Sequence, residues 1–351
     1  MSPLSPDSTR TSQLNPGVYR DLSNEDYHSG PGVSKSLLDL LRQSPAHLRA
    51  ALTSSEARKP TPSQAFGTAF HMLVLEPERF DSSFARPFVA PELALATVED
   101  YKNALAQHGV SFKSSARKGE LASLVREHLA GAVIYDDELE RYNASNAGRT
   151  VLSDDVWTRL HAMRDAVLAH KAASKLLAAP GAAELSAYWQ EPVAEVSKGK
   201  PRRVLCRVRP DYWRRDGILV DLKSARIDGA DSDSFARAVD NYRYHVQHAM
   251  YLDGTAKALR ASKGFEEFAA PRAFVYIAVE KDACVVDGVA KGVAVYQLGE
   301  QSVSLGRQLM REDLWRFAAC ELSGQWPGYS EAIQPLELPP YAFTRAAVSA
   351  P

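Results

Sequence analysis

The spacing of hydrophobic residues changes along the chain, and the changes divide it into elements. From Gly17 onward the apolar positions recur at helical spacing: Leu37, Leu38, Leu41 and Leu48 form one stripe behind Ser34, a residue type that caps helix N-termini. Ser44-Pro45 interrupts that stripe, because a residue before proline is pushed out of the helical region, so a helix that breaks and restarts is expected. A second helical run, SQAFGTAFHMLVLEPERF, is apolar around Gly67 and carries one histidine, His71, in its hydrophobic face. Taken alone, such a histidine reads as a core residue.

Residues 97–130 predict a helix, an extended stretch and a second helix, with Gly109 just past the first helix and Ser114 or Ser115 as the cap of the second. The pattern resembles the small SAP- and LEM-like modules, several of which bind DNA; Lys113, Arg117 and Lys118 would be its DNA-facing charges. A plain helical insertion explains the pattern equally well.

After a polar joint, SDDVWTRLHAMRDAVLAHKAASKLLAA keeps helical spacing through Val156, Leu160, Met163, Val167 and Leu168, with Ser153 as cap and Pro180-Gly181 as terminator. The period then shortens. AELSAYWQEPVAEV, RRVLCRVRPDYW and GILVDLKSA read as strands separated by the turn signals SKGKP and RRDG. A helix, two more strands (RAFVYIAVEK and GVAVYQL) and a long amphipathic helix follow. The order from residue 154 is α-β-β-β-α-β with additions, an α/β sandwich with one mixed sheet between helices.

The turn between the second and third strands places the chemistry. With Gly217 in the left-handed position of an Arg215-Asp216-Gly217 loop, Arg214 faces Ile218, Trp213 faces Leu219, Tyr212 faces Val220 and Asp211 faces Asp221. Opposed residues sit about 4.5–5.5 Å apart at Cβ, where like charges repel. Lys223 points to the same face as Asp221 because strand side chains alternate. Two hard carboxylates beside an ammonium suit Mg²⁺ or Mn²⁺ and the activation of a water for attack on a phosphodiester. A plain salt bridge explains the lysine but not two acids opposed in strands of Val, Leu and Ile.

Composition narrows the reading. The chain has 351 residues, 45% hydrophobic and 24% charged, enough for a sizeable globular core. A net charge of −1 means that any nucleic-acid contact must use a local basic surface. One is available: Lys198, Lys200, Arg202, Arg203, Arg207, Arg209, Arg214 and Arg215 cluster around a single acid, Asp211. Cys206, Cys284 and Cys320 lack the spacing of a zinc or iron–sulfur site and fit a reducing cytoplasm. Residues 1–16 read as a disordered Ser/Pro-rich tail, and no segment has the ~18 apolar residues that a membrane span needs, so no membrane partner is expected.

RPD and VDLK together reproduce the PD-(D/E)xK nuclease signature as Asp211, Asp221 and Lys223; GTAFH, ending at His71, fits the GxxxH motif of RecB-like and RecE-like nucleases, and QHAMY fits their QxxxY as Gln247 and Tyr251. With GVYRDLSNEDYH, VSKSLLDLLRQSPAHL, AELSAYW and WPGY, the chain resembles the exonuclease VIII (RecE-like) domain over about residues 17–345, apart from 97–130. The resemblance implies a PD-(D/E)xK core at 150–345, preceded by a helical part of the same domain at 17–96.

It also implies roles. His71 becomes a metal ligand together with Asp211, Asp221 and the backbone carbonyl of Leu222. A further acid on or before the first strand is either Glu184 or Glu191. A hairpin over SKGKPR sets residue 188 near Asp211 and turns Glu184 toward the site, and the family pattern E-x-S-x-x-W matches Glu184 as well. Gln247 and Tyr251, one helical turn apart, would hold a DNA phosphate or Lys223. Arg207, Arg209, Arg214, Lys113 and Lys118 are the expected DNA-binding residues. The implied activity is a Mg²⁺-dependent 5′ to 3′ exonuclease on linear double-stranded DNA with a free end, with Mn²⁺ as a substitute. Its setting would be phage-type recombination, with a single-strand annealing protein as partner and a homo-oligomer as assembly. The alternatives are an endonuclease on the same fold and a non-catalytic DNA-binding module.

Overall fold

The computed structural model describes residues 14–54, 61–193 and 202–338. Most of the expected tail, the SKGKP turn with Lys198 and Lys200, and the last residues of the expected core lie outside the described residues. The elements run β1 (Gly17–Tyr19), α1 (Asn24–Ser29), α2 (Lys35–Gln43), α3 (Pro45–Thr53), α4 (Pro62–Leu75), α5 (Pro77–Ser83), β2 (Phe84–Ala85), α6 (Val98–Gln107), α7 (Lys118–His128), α8 (Tyr135–Ser145), β3 (Thr150–Val151), α9 (Asp154–Ala169) and α10 (Lys171–Ala178). The second half contains β4 (Gly181–Ala183), β5 (Ser186–Val193), β6 (Arg202–Val208), β7 (Tyr212–Arg214), β8 (Ile218–Ala225), α11 (Ser232–Asn241), α12 (Tyr244–Arg260), β9 (Ala273–Val286), β10 (Val289–Tyr296) and α13 (Glu300–Ser323). Among the described residues no helix is long and apolar enough to cross a membrane.

Local chemistry accounts for most boundaries. Ser34 accepts the Leu37 N–H, and Ser44 accepts the His47 N–H with Pro45 in the first turn of α3, so the helix does break and restart at that pair. Gly109 follows α6 with φ +69°. The start of α7 corrects the expected serine cap. Arg117 is the cap residue, its N–H held by Glu120 at 2.9 Å, whereas the Ser114 carbonyl is taken by Lys102. The helix expected to run unbroken from Ser153 to Pro180 instead breaks at His170, whose ring accepts the Ala173 N–H and starts α10.

A five-stranded mixed sheet, in the order β10-β9-β8-β7-β4, carries the core. β8 and β9 are parallel, joined by the α11–α12 crossover, and the remaining pairs are antiparallel. A three-stranded antiparallel sheet, β1-β5-β6, continues it. β4 runs into β5 and β6 into β7 with one register throughout: Ala187 pairs with Val208, and four residues on, Ala183 pairs with Tyr212. Between them the Glu184 N–H donates to the Asp211 carbonyl at 3.1 Å. Glu184 itself has φ +54°, a left-handed value that bends the strand and separates the two sheets there.

Hydrophobic layers cover both faces of the mixed sheet. Trp213, Leu219 and Phe274 pack with Met250 of α12 and Leu314 of α13 on one side; Val220, Leu222 and Ile277 pack with Phe70 of α4 and Met163 of α9 on the other. This is the three-layer α/β/α arrangement expected from the order of elements. Residues 101–134 hold a separate small core around Tyr101, Leu105, Leu121 and Val125.

Two glycines differ in what they permit. A Cβ on Gly306 of α13 would lie 2.0 Å from the His245 carbonyl of α12, so those helices meet at backbone contact. A Cβ on Gly67 would meet only the Ser224 hydroxyl at 3.8 Å, an ordinary contact, so α4 makes no approach there that only glycine permits. Gly306→Ala should destabilise the protein by about 1–3 kcal/mol through overpacking, whereas Gly67→Ala should be neutral or stabilise by up to ~1 kcal/mol through helix propensity. Urea unfolding midpoints measure both, and equal effects at the two positions would contradict the packing described.

Candidate active site

The hairpin register is the one the turn implies: Tyr212 pairs with Val220 and Trp213 with Leu219, with Gly217 at φ +83°. Asp211, one residue before β7, is brought to the side of β8 and accepts the Leu222 N–H on Oδ2 at 2.7 Å. Asp221 and Lys223 share the face of β8 that looks toward α12, and Lys223 Nζ lies 2.5 Å from Asp221 Oδ2. His71, from α4, brings Nδ1 to 3.4 Å from Asp211 Oδ2.

Gln247 departs from expectation. It is buried, and Nε2 donates to Asp221 Oδ1 at 2.5 Å, so its amide holds a carboxylate where Lys223 or a phosphate was expected. Tyr251, one turn later, packs edge-on against Phe274. Burial and the nearby Tyr27, Asp221, Asp211 and Glu184 hold its phenol well above the usual range, so it remains an O–H donor.

Register brings Glu184, and not Glu191, beside Asp211. The hairpin expected to bring residue 188 near Asp211 is offset by four residues: Tyr188 pairs with Arg207, and Glu184 itself lies across from Asp211. Glu191 is engaged elsewhere, accepting from Trp189 Nε1 at 2.7 Å and from Lys257 Nζ.

Burial dominates the electrostatics. Asp221, 1% exposed, is pushed up to about 6 by desolvation, with Asp211 adding to the rise and Lys223 opposing it. Glu184 is pushed up to about 8, first by burial and then by the charge of Asp211. For Asp211 burial acts upward but is outweighed by His71, Lys223 and the Leu222 amide, which hold it below the usual carboxylate range. His71 is raised, since Asp211 overcomes the downward pull of burial. Lys223 is raised in the same way by Asp221, Tyr244 and Asp211, and remains an ammonium at neutral pH.

Most of the expected DNA-binding cations point elsewhere. Arg207 and Arg209 are buried: Arg207 donates to the carbonyls of His28 and Gly30, and Arg209 donates to the Ser186 hydroxyl and the Leu22 carbonyl. Both guanidinium groups also lie over the Tyr27 ring. They clamp residues 22–31 to the sheet, because unsatisfied backbone carbonyls under a strand pair need donors. Arg214 is spent on a two-pronged pair with Asp216 across its own turn. Lys118 pairs with Asp136 at 2.8 Å, and Lys113 is exposed between α6 and α7.

A family model described as "PDDEXK-like domain of unknown function (DUF3799)" matches residues 34–339. The chain belongs to this family of PDDEXK-like domains. A crystal structure from Eubacterium rectale described as a "Putative exonuclease" aligns over 93% of this chain and 97% of that one, with 9% identity and a TM-score of 0.46. Among curated proteins no match was found.

The donor set of this PDDEXK-like domain fits a hard cation. Asp221 Oδ2 is buried and, despite the nearby Lys223, accepts no well-directed hydrogen bond, while Glu184 is forced toward its protonated form beside Asp211. An added positive charge relieves both conditions, and carboxylate oxygens are the ligands that Mg²⁺ takes. Among the described residues, no three His, Cys, Asp or Glu side chains are placed so that they could hold a metal ion as they stand; His71 and Lys223 instead hold the aspartates as ion pairs, so the aspartates would have to turn from these partners to take a cation.

Sequence reasoning missed Tyr244, whose ring face lies 4.7 Å from Lys223 Nζ, and the link from Gln247 to Asp221. The signal was present: Tyr244, Gln247 and Tyr251 are spaced three and four residues apart, one face of a helix.

Glu184 gives a pH signature. Because its folded value of about 8 exceeds the ordinary 4.5, the folded state holds a proton that the unfolded state has lost between those values. Stability must therefore fall as pH rises through that window. In EDTA, the wild type should lose on the order of 4 kcal/mol relative to Glu184→Gln between pH 5 and 8.5. Parallel thermal-denaturation profiles of the two proteins would contradict the assignment.

Proposed function

We propose that this PDDEXK-like domain is a divalent-cation-dependent deoxyribonuclease, acting as a 5′ to 3′ exonuclease on linear double-stranded DNA. The observation that carries the reading is the convergence of Asp211, Asp221 and Lys223 around Leu222, with His71 and Glu184 beside Asp211. The domain family supports a nuclease; the polarity and a role in recombination with a single-strand annealing partner, as part of a homo-oligomer, rest on the sequence resemblance to RecE-like domains.

Asp211, Asp221, Glu184, His71 and the Leu222 carbonyl would hold Mg²⁺ or Mn²⁺, which when bound supplies charge for the scissile phosphate and lowers the pKa of water. Gln247 keeps Asp221 Oδ1 oriented, and the Leu222 amide does the same for Asp211 Oδ2. Lys223 enters as an ammonium, so it donates hydrogen bonds to the attacking water or to the phosphate oxygens and does not remove a proton.

Lys223→Ala should lower the rate of Mg²⁺-dependent digestion of end-labelled linear duplex by about 10²–10³-fold, the size seen when a stabilising donor is removed from a reacting centre. Gln247→Met, which leaves Asp221 Oδ1 without its donor, should reduce kcat by about ten-fold or more with little change in KM. The same assay on covalently closed circles should show no digestion. Circles degraded as fast as linear duplex would make the protein an endonuclease, and equal activity of Lys223→Ala would make the site non-catalytic.

A further inference from the structure

Tyr244, whose ring carries Lys223, also lines a cavity of about 530 Å³ formed with Lys35, Arg42, Asn241, Tyr242 and Arg243, with Asp39 on its wall. Two features set it apart from the rest of the surface. Arg243, at the joint between α11 and α12, has φ +53° and ψ +43°, a conformation that side-chain-bearing residues rarely adopt and that concentrates at functional sites. It is 4% exposed, its guanidinium is fixed by Asp39 and Asp313, and its Nε has no partner among the described residues.

The second feature is an aromatic stack. Tyr276, in the core, lies against Tyr244 with ring centroids 5.9 Å apart and planes at 27°; Tyr244 lies against Tyr242 at 5.7 Å and 26°. The middle ring carries Lys223 over its face, and the last, Tyr242, is 62% exposed. The stack therefore starts under the sheet, passes the active-site lysine and ends as a ring open to solvent. Lys35 anchors this end: Nζ bonds the Tyr242 carbonyl and Asp39, so among the described residues one of its three N–H groups is left to meet a ligand. Arg42 is exposed at the rim.

We propose that this cavity is a nucleotide subsite, in which the base next to the scissile phosphate stacks on Tyr242 and its phosphate lies between Lys35 and Arg42. The inference deepens the nuclease reading and rests on it. Every base has a π-face, so a ring platform beside cations binds a strand without reading its sequence. A base stacked on a protein ring has left its partner, so the strand enters the centre unpaired, and ends with a few unpaired nucleotides are preferred substrates.

The test is fluorescence titration of a short single-stranded oligonucleotide carrying terminal 2-aminopurine, in EDTA so that no hydrolysis occurs, with wild type, Tyr242→Ala, Tyr242→Phe and Arg42→Ala. Quenching on binding is expected for wild type and Tyr242→Phe. Tyr242→Ala should bind about ten-fold more weakly without quenching, and in digestion assays its KM should rise by a similar factor. Arg42→Ala should weaken binding while quenching at saturation persists. Wild-type binding that is indifferent to Tyr242→Ala, or absent, would overturn the subsite even if digestion proceeds. Tyr242-dependent binding by a wild type that hydrolyses nothing would support the subsite while removing the nuclease reading.

Discussion

The structure is organised around the burial of two like charges on neighbouring strands. Asp221 is almost wholly enclosed and Asp211 nearly so, and an isolated carboxylate in such a place costs several kcal/mol. Each is stabilised from a different layer. Lys223 on the same strand and Gln247 on α12 hold Asp221 from one side of the sheet; His71 on α4 and the Leu222 amide hold Asp211. The helices above and below the sheet are thereby tied to a single point, and the groups that make burial tolerable also orient the carboxylates for chemistry.

The bend at Glu184 belongs to the same constraint. The hairpin from β4–β5 to β6–β7 keeps its register across the bend, yet the hydrogen-bonded sheets part where Glu184 takes a left-handed conformation. A non-glycine residue there costs on the order of 1–3 kcal/mol and persists only where the surrounding structure fixes it. The bend keeps a third acid beside Asp211, and a third acid there increases the unrelieved negative charge that a cation would satisfy. Arg243 repeats the device at the entrance to α12.

Much of this was legible in the sequence. The turn Arg215-Asp216-Gly217 dictated which strand residues pair, and the caps at Ser34 and Ser153 and the break at Ser44-Pro45 marked helix boundaries, because these are local effects of a few bonds. Where a long connection intervened, local reasoning slipped: the pairing of β5 with β6 came out four residues away, although the even offset left Glu184 on the correct face. Charge was the poorest guide. Arg207 and Arg209 alternate on one strand like a phosphate-binding surface, but the carbonyls of residues 22–31 lie against them, and nothing in the composition marks that segment as their partner. Gln247 was identified as a site residue and assigned the wrong neighbour, since its distance from Asp221 is set by the crossover that places α12 on the sheet.

The buried aspartates are, on the proposed function, poised to take a cation. Calorimetric titration of Mn²⁺ into the wild type and Asp221→Asn at pH 7 tests it without DNA. Saturable binding by the wild type, accompanied by proton release and lost in Asp221→Asn, is the expected result. Binding that is absent from the wild type, or identical in the two proteins, would contradict the account.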